Sequence, residues 1–173
     1  EKASGTRKTI ARRLTESKRD VPHYYLTIDV DAEPILAARA LINARLEASK
    51  EKVSVNDLLV KACATALAIS PNVNASFMGD VIHYHQVVDI SIAVAIPDGL
   101  VTPVVRDANL RGVLEISKEV RALAQKAKEK RLRPEEITGG TFSISNLGMY
   151  GIDEFSAVIN LSLIHISEPT RPY

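Results

Sequence analysis

The sequence predicts an α+β domain in which a mixed β-sheet is flanked by helices. Segments with helical spacing of apolar residues and short β-branched runs follow one another as helix, strand, two helices, three strands, helix and strand. A length of 173 residues with 46% hydrophobic residues suits one domain with a sizeable core. No repeat or low-complexity tract interrupts this order.

The first two predicted helices have recognisable starts. Ser4 and Thr6 are candidate N-caps of a short amphipathic helix that ends before Pro22. Asp31 can cap the second helix, where Pro34 is tolerated in the first turn. The expected apolar stripe of this second helix comprises Ile35, Ala38, Leu41, Ile42 and Leu46.

The third predicted helix begins at a capping box formed by Ser54 and Asp57. Because it is apolar nearly all round, we expect it to be central and buried. It contains Cys63, which we expect to pack as a small hydrophobe. A fourth helix is predicted from Val113 to Lys128, with a strongly charged solvent-facing side.

The strand predictions depend on alternation and on β-branched residues. The stretch "HYYLTIDVD" from His23 to Asp31 alternates and predicts a strand with one buried face. After a polar turn in "PNVNASF", strands are predicted in "VIHYH", "VVDISIAVAIP" and "LVTPVVRD", and a last one in "TFSIS". The run from Val87 to Ile96 has the composition of a strand covered on both sides.

Composition argues against several classes of function. The 22 basic and 21 acidic residues leave a net charge of +1, which gives no electrostatic footprint for nucleic acid or a membrane surface. No apolar run approaches the ~20 residues of a membrane helix. The four histidines and one cysteine have no metal-ligand spacing, so we expect no metal.

The segment "GGTFSISNLG" is the best candidate for chemistry. Gly139, Gly140 and Gly148 flank alternating residues, so the backbone can approach a neighbour closely and a small hydroxyl can face a ligand. From the residues alone, Ser143 and Ser145 are either ordinary strand residues or catalytic groups, and both readings stay open.

Five blocks, in this order, resemble a known family: "RKTIARRLTESKRDVPHYYLTIDVD", "SVNDLLVKACATAL", "PNVNASFM", "VVDISIAVAIPDGLVTPVVRDAN" and "GGTFSISNLGMYGIDEFSAVIN". They resemble the catalytic domain of the E2 acyltransferases of 2-oxo acid dehydrogenase complexes, and most of all its dihydrolipoamide acetyltransferase branch. The resemblance implies a chloramphenicol-acetyltransferase-like fold, and transfer of an acetyl group from dihydrolipoyl to coenzyme A in the pyruvate dehydrogenase complex. Succinyl or branched-chain acyl groups are the alternative substrates.

The resemblance also implies roles for individual residues. In the family a histidine deprotonates the thiol of coenzyme A, and a serine donates to the tetrahedral oxyanion. Ser145 occupies the place of that serine. Arg39 matches a contact to coenzyme A, or is a solvated helix residue. Four positions match the substrate channel of the family, although ordinary turn residues would give the same pattern. They are Asn74, Ser76, Asp98 and Gly99.

The family's histidine belongs to a D-H-R-x-x-D-G motif, which the 173 residues do not contain. His165 lacks the flanking residues of that motif. We therefore expect a partial catalytic domain at 1–160, incomplete in its sheet, and a non-native tail at 161–173 that resembles adapter read-through. This chain alone is then expected to be inactive, and a non-catalytic trimer-forming scaffold is the alternative function.

The resemblance implies partners and a compartment as well. Family members form homotrimers that assemble into a larger core, with active sites between subunits. The E1 and E3 components bind through upstream domains, and the lipoyl group is carried on such a domain, which this chain lacks. The compartment is then a bacterial cytoplasm or a mitochondrial matrix.

Overall fold

The computed structural model describes residues 2–97 and 99–159. Four α-helices form in this part of the chain. The side chain of Ser4 caps the first by accepting the N–H of Arg7, and Ser54 and Asp57 form both hydrogen bonds of the predicted capping box. The helices are α1 (Gly5–Asp20), α2 (Glu33–Leu46), α3 (Val55–Ile69) and α4 (Val113–Lys128).

The strands form one mixed sheet and two hairpins. In the sheet, β3 lies in the centre, antiparallel to β6 and parallel to β7. The hairpins are β1–β2 and β4–β5, both antiparallel. The strands are β1 (Ala75–Met78), β2 (Val81–Tyr84), β3 (Ile90–Ile92), β4 (Val94–Ile96), β5 (Gly99–Val101), β6 (Val104–Val105) and β7 (Phe142–Ile144).

The hydrophobic core lies between the mixed sheet and two helices. Helices α3 and α4 pack against each other, and α4 also contacts β4 and β6. The half-buried Cys63 packs against this core as a small hydrophobe, as predicted. The predicted class of mixed sheet and flanking helices is confirmed. The core side chains are Val60, Ala64, Leu67, Val88, Ile90, Ile92, Val105, Ala108, Ile116 and Leu123.

The predicted strand from His23 to Asp31 is wrong. The segment forms neither a helix nor a strand and joins no sheet in the described part of the chain. Its alternating apolar side chains are highly exposed, at 83% for Tyr24, 88% for Leu26 and 83% for Ile28. Alternation specifies which side chains share a face, whereas a strand also needs backbone donors and acceptors from a neighbour.

The single strand predicted from Val87 to Ile96 is two strands in different sheets. It divides at Ala93, whose N–H donates to the carbonyl of Ile144 at 2.9 Å. The next predicted run divides likewise at Pro103, which has no N–H to donate, into β5 and β6. Of the two strands in the run from Val87 to Ile96, β3 is buried along its length and β4 is not, so the predicted cover on both sides holds for only part of the run.

Two helices are less buried than their composition predicts. Helix α3 buries one stripe that forms part of the core, while Ile69 on another side is 76% exposed, so the predicted burial holds for that stripe only. No residue of α2 is buried, and Leu41 of its predicted stripe is 66% exposed. The predicted polar turn is also shorter than expected, because β1 already begins at Ala75.

Candidate functional site

Ser145 lies one residue beyond the end of β7, and its side chain is exposed. Strand β7 pairs with β3 so that Ser143 is opposite Ser91. The N–H of Ala93 donates to the carbonyl of Ile144, so the ladder reaches the residue immediately before Ser145. A hydroxyl at the carboxyl end of two parallel strands is thus held on a fixed backbone and open to a ligand.

The loop that enters β7 is held by Arg106. Its Nη1 donates to Oδ2 of Asp89 at 2.6 Å, and the Asp89 side chain is only 8% exposed. The two guanidinium Nη atoms of Arg106 also donate to three backbone carbonyls, those of Glu135 at 2.9 Å, Thr138 at 2.6 Å and Gly139 at 3.1 Å. The guanidinium group is planar and has several N–H donors, so it can bind one carboxylate and three carbonyl oxygens at once.

Two further contacts fix the same loop. The backbone N–H of Thr141 donates to the carbonyl of Asp89 at 2.7 Å, and the N–H of Asp89 donates to Oγ1 of Thr141 at 3.2 Å. The carboxylate of Glu136 accepts the backbone N–H of Arg133 and the ammonium of Lys126, which together lower its pKa to about 2. The entry to β7 is therefore tied to β3, β6 and α4.

Gly140 confirms the predicted close approach in this segment. A Cβ at this buried position would lie 2.1 Å from Oγ of Ser91 in β3. Ser91 is fully buried, and its hydroxyl has no hydrogen-bond partner in the described part of the chain. Only glycine leaves room for the Ser91 hydroxyl at the start of the β3–β7 pair.

Asn74 and Ser76, which the sequence predicts to line the substrate channel, lie at the β1–β2 hairpin. Asn74 is 2% exposed, and its Nδ2 donates to the carbonyl of Val87 at 2.8 Å. Its Oδ1 is buried without a hydrogen-bond partner among the described residues. The backbone carbonyl of Asn74 accepts the N–H of His85 at 2.9 Å. The asparagine therefore links the hairpin to the chain that enters β3.

His85 is a site residue that sequence reasoning missed. Its Nε2 lies 2.8 Å from Oγ of Ser76. Burial, and secondarily the charge of His83, lower the pKa of His85, while Asp89 opposes this shift. Nothing in "VIHYH" indicates that His85 pairs with a serine nine residues earlier.

Of the remaining predicted positions, Arg39 and Gly99 are exposed. Arg39 lies on an exposed part of α2. Gly99 has a φ of +144°, and a Cβ there would lie 2.9 Å from Cδ1 of Ile10 in α1, so the hairpin β4–β5 needs glycine at this position. Asp98 lies outside the described residues.

Ser76 and Asn74 are brought together in one hairpin, whereas no hydrogen bond of the described residues joins them to Ser145 or Arg39. In residues 2–97 and 99–159, no group of three His, Cys, Asp or Glu side chains is placed to hold a metal ion. In the same ranges no helix is long and apolar enough to cross a membrane.

Residues 1–168 match the model of the family described as 2-oxoacid dehydrogenases acyltransferase (catalytic domain). The chain belongs to this family. The family resemblance of the sequence blocks is thereby confirmed, and with it the expectation of an enzyme family.

The acyltransferase chain is similar to proteins of bacteria and of a mitochondrion. It is 52% identical over 155 residues to the dihydrolipoyllysine-residue acetyltransferase component of the pyruvate dehydrogenase complex of Rickettsia felis, covering 89% of this chain and 38% of that protein. It is 50% identical over 157 residues to the mitochondrial component of Schizosaccharomyces pombe, covering 91% and 32%. The chain thus spans about a third of the length of these relatives.

A solved structure of an acetyltransferase has a similar fold. The dihydrolipoamide acetyltransferase of Azotobacter vinelandii is 32% identical and superimposes with a TM-score of 0.89, over 94% of this chain and 68% of that one. Work on that structure concerned the roles of a serine, a histidine and an asparagine in its catalytic mechanism. The shared fold therefore extends over nearly all of this acyltransferase chain.

Proposed function

We propose that this chain is the catalytic domain of a protein that transfers an acetyl group from S-acetyldihydrolipoyl to coenzyme A within the pyruvate dehydrogenase complex, and that the 173 residues alone, without the D-H-R-x-x-D-G motif, do not complete the reaction. Similarity to relatives named acetyltransferase components supports acetyl over succinyl or branched-chain acyl groups. The observation that carries the proposal is the exposed hydroxyl of Ser145 at the end of a strand whose entry and register are fixed by Arg106 and Gly140.

The proposed reaction is acyl transfer between two thiols. A general base outside the described residues takes the proton of the coenzyme A thiol, and the thiolate attacks the carbonyl carbon of the acyl thioester. Ser145 donates its hydroxyl hydrogen to the oxyanion that forms. The bond from the carbonyl carbon to the dihydrolipoyl sulfur then breaks, and this sulfur takes the proton from the base.

The other site roles belong to the same proposal. Arg39 contacts coenzyme A, and its exposed position on α2 leaves the guanidinium accessible. The substrate channel is lined by Asn74, Ser76, Asp98 and Gly99. We further propose a chloramphenicol-acetyltransferase-like fold for the catalytic domain, 1–160, and a non-native origin for 161–173.

The proposed partners are two further copies of this chain in a trimer, and the E1 and E3 components of the complex. The relatives are named as components of the pyruvate dehydrogenase complex, which supports a place for this chain in such a complex. Exposed apolar side chains on the hairpin β1–β2, such as Phe77 at 74% and Ile82 at 57%, also favour burial against a partner.

Substitution of Ser145 by alanine tests the proposed chemistry. We expect kcat of the full-length protein to fall by about 10²-fold to 10³-fold, with KM for coenzyme A little changed, because an oxyanion donor acts mainly in the transition state. Initial rates with acetyl-dihydrolipoamide and coenzyme A give both constants. Ser143→Ala is the matched control, since this side chain is also exposed in the same segment. Equal losses in both variants would contradict the assignment.

A further inference from the structure

The β1–β2 hairpin brings a serine and two histidines to one face. Ser76 is directly opposite His83 in the register of the hairpin, and His85 is two residues further along the same side. The imidazole rings of His83 and His85 meet edge to face with their centroids 4.9 Å apart. Ser76 and His85 are both half-buried, and their polar atoms are 2.8 Å apart.

The direction of the Ser76–His85 hydrogen bond follows from the basicity of the two groups. A neutral imidazole nitrogen is a far stronger acceptor than a hydroxyl oxygen, so the pair is best satisfied when Oγ–H of Ser76 donates to Nε2 of His85. Asn74 fixes the position of His85. Its backbone carbonyl accepts the N–H of His85, and its side-chain amide donates to the carbonyl of Val87.

We propose that His85 is a positioning residue which fixes the Ser76 hydroxyl as an acceptor for the amide N–H of a thiol-bearing substrate arm. This inference rests on the proposed function, in which Ser76 lines the substrate channel. Coenzyme A, the dihydrolipoyl arm and free acetyl-dihydrolipoamide all carry an amide, so the shared chemistry is an amide N–H donor. With its own hydrogen committed to His85, Oγ of Ser76 presents lone pairs to that donor.

Protonation of His85 reverses the hydrogen bond. The imidazolium donates from Nε2 to Ser76, and the serine hydrogen then points away and repels the incoming N–H. The charged groups that face His85 are His83 on β2 and Asp89 immediately before β3. Because burial and His83 favour the neutral form, the acceptor arrangement prevails at neutral pH and is lost in acid.

The experiment measures KM for coenzyme A and for acetyl-dihydrolipoamide separately between about pH 5 and 8, in the full-length protein. We expect KM for one of the two substrates to rise about threefold to tenfold in acid, the size expected for one hydrogen bond. The substrate whose KM responds identifies the arm that contacts Ser76. In His85→Gln and in Ser76→Ala this dependence disappears, because neither variant retains the titrating pair.

His83→Gln is the matched control, since it removes the other histidine from the same face but leaves the Ser76–His85 bond. We expect it to keep the KM dependence. A dependence that persists in His85→Gln, or that is absent in the unmodified protein, overturns the inference. Loss of activity in Ser145→Ala is unaffected by either result, so the proposed function and this inference fail independently.

A spectroscopic measurement tests the same hydrogen bond without turnover. Nitrogen-15 NMR of the histidine rings at neutral pH distinguishes a ring nitrogen that carries hydrogen from one that does not. We expect Nε2 of His85 to carry none. A proton on Nε2 in the neutral ring would overturn the proposed direction.

Discussion

At the scale of single residues, two glycines lie so close to a neighbouring side chain that a larger residue would not fit. Gly140 faces the Ser91 hydroxyl across the β3–β7 pair, and Gly99 lies against Ile10 of α1. Ser91 is fully buried with its hydroxyl unpartnered in the described part of the chain. A buried hydroxyl in that state costs free energy, and the adjacent glycine is the reason it can be accommodated at all.

Gly140→Ala should lower the free energy of unfolding by about 1–3 kcal/mol, because the added methyl group overlaps Oγ of Ser91. Chemical denaturation measures the change. Ser91→Ala alone should be neutral or stabilising, and combined with Gly140→Ala it should recover part of the loss. Gly5→Ala is the control, since a Cβ there meets nothing within 4 Å. Strict additivity of the two substitutions would refute the proposed overlap.

At the scale of elements, Arg106 joins parts of the chain that are distant in sequence. It follows β6, bonds to Asp89 before β3, and holds three carbonyls of the loop between α4 and β7. A parallel strand such as β7 cannot be set by a tight turn, since its connection to β3 runs through α4. The cluster around Arg106 replaces the turn as the device that places β7.

Arg106→Met should destabilise the protein by about 2 kcal/mol, because it leaves the carboxylate of Asp89 buried with less compensation. Partial exposure of the arginine keeps the loss below that of a fully buried pair. Arg131→Met is the matched control, since this arginine pairs with Glu129 at the surface, where solvent screens the pair, and its loss should hardly change the free energy of unfolding. Urea denaturation compares the two. Equal effects would show that the Arg106 cluster does not anchor the loop.

At the scale of the whole molecule, burial is concentrated between α3, α4 and the mixed sheet, while other apolar surfaces remain exposed. The segment from His23 to Asp31 and the hairpin β1–β2 both present large apolar side chains to solvent. Patches of this kind are typical of surfaces that contact other chains. This distribution agrees with the proposed assembly of several copies.

Leu26→Ala should change the free energy of unfolding by less than about 0.5 kcal/mol in the 173-residue chain, because Leu26 is 88% exposed. Leu123→Ala is the matched comparison, since Leu123 is 6% exposed in the core and its truncation should cost about 2–5 kcal/mol. Thermal and chemical denaturation measure both variants. A large loss for Leu26→Ala would show that its side chain is buried in the folded protein.

Local chemistry alone determined much of this structure. The start of α3 could be predicted because the side chains of Ser54 and Asp57 each accept the backbone N–H of the other, within four residues. The end of α1 before Pro22 and the span of α4 follow from equally local rules. The serine segment was recognisable because glycines cluster around it, and the order of the five sequence blocks was enough to indicate the family.

Only the tertiary structure decided where strands pair and which side chains meet. Alternation from Tyr24 to Val30 could not show that the described chain offers this segment no neighbouring strand. Composition could not reveal that the chain changes sheets at Ala93, or that His85 meets Ser76. Helix caps and turns join groups a few residues apart, so sequence specifies them. Sheet partners and site contacts join distant groups, and their energy is decided by the packing of the whole chain.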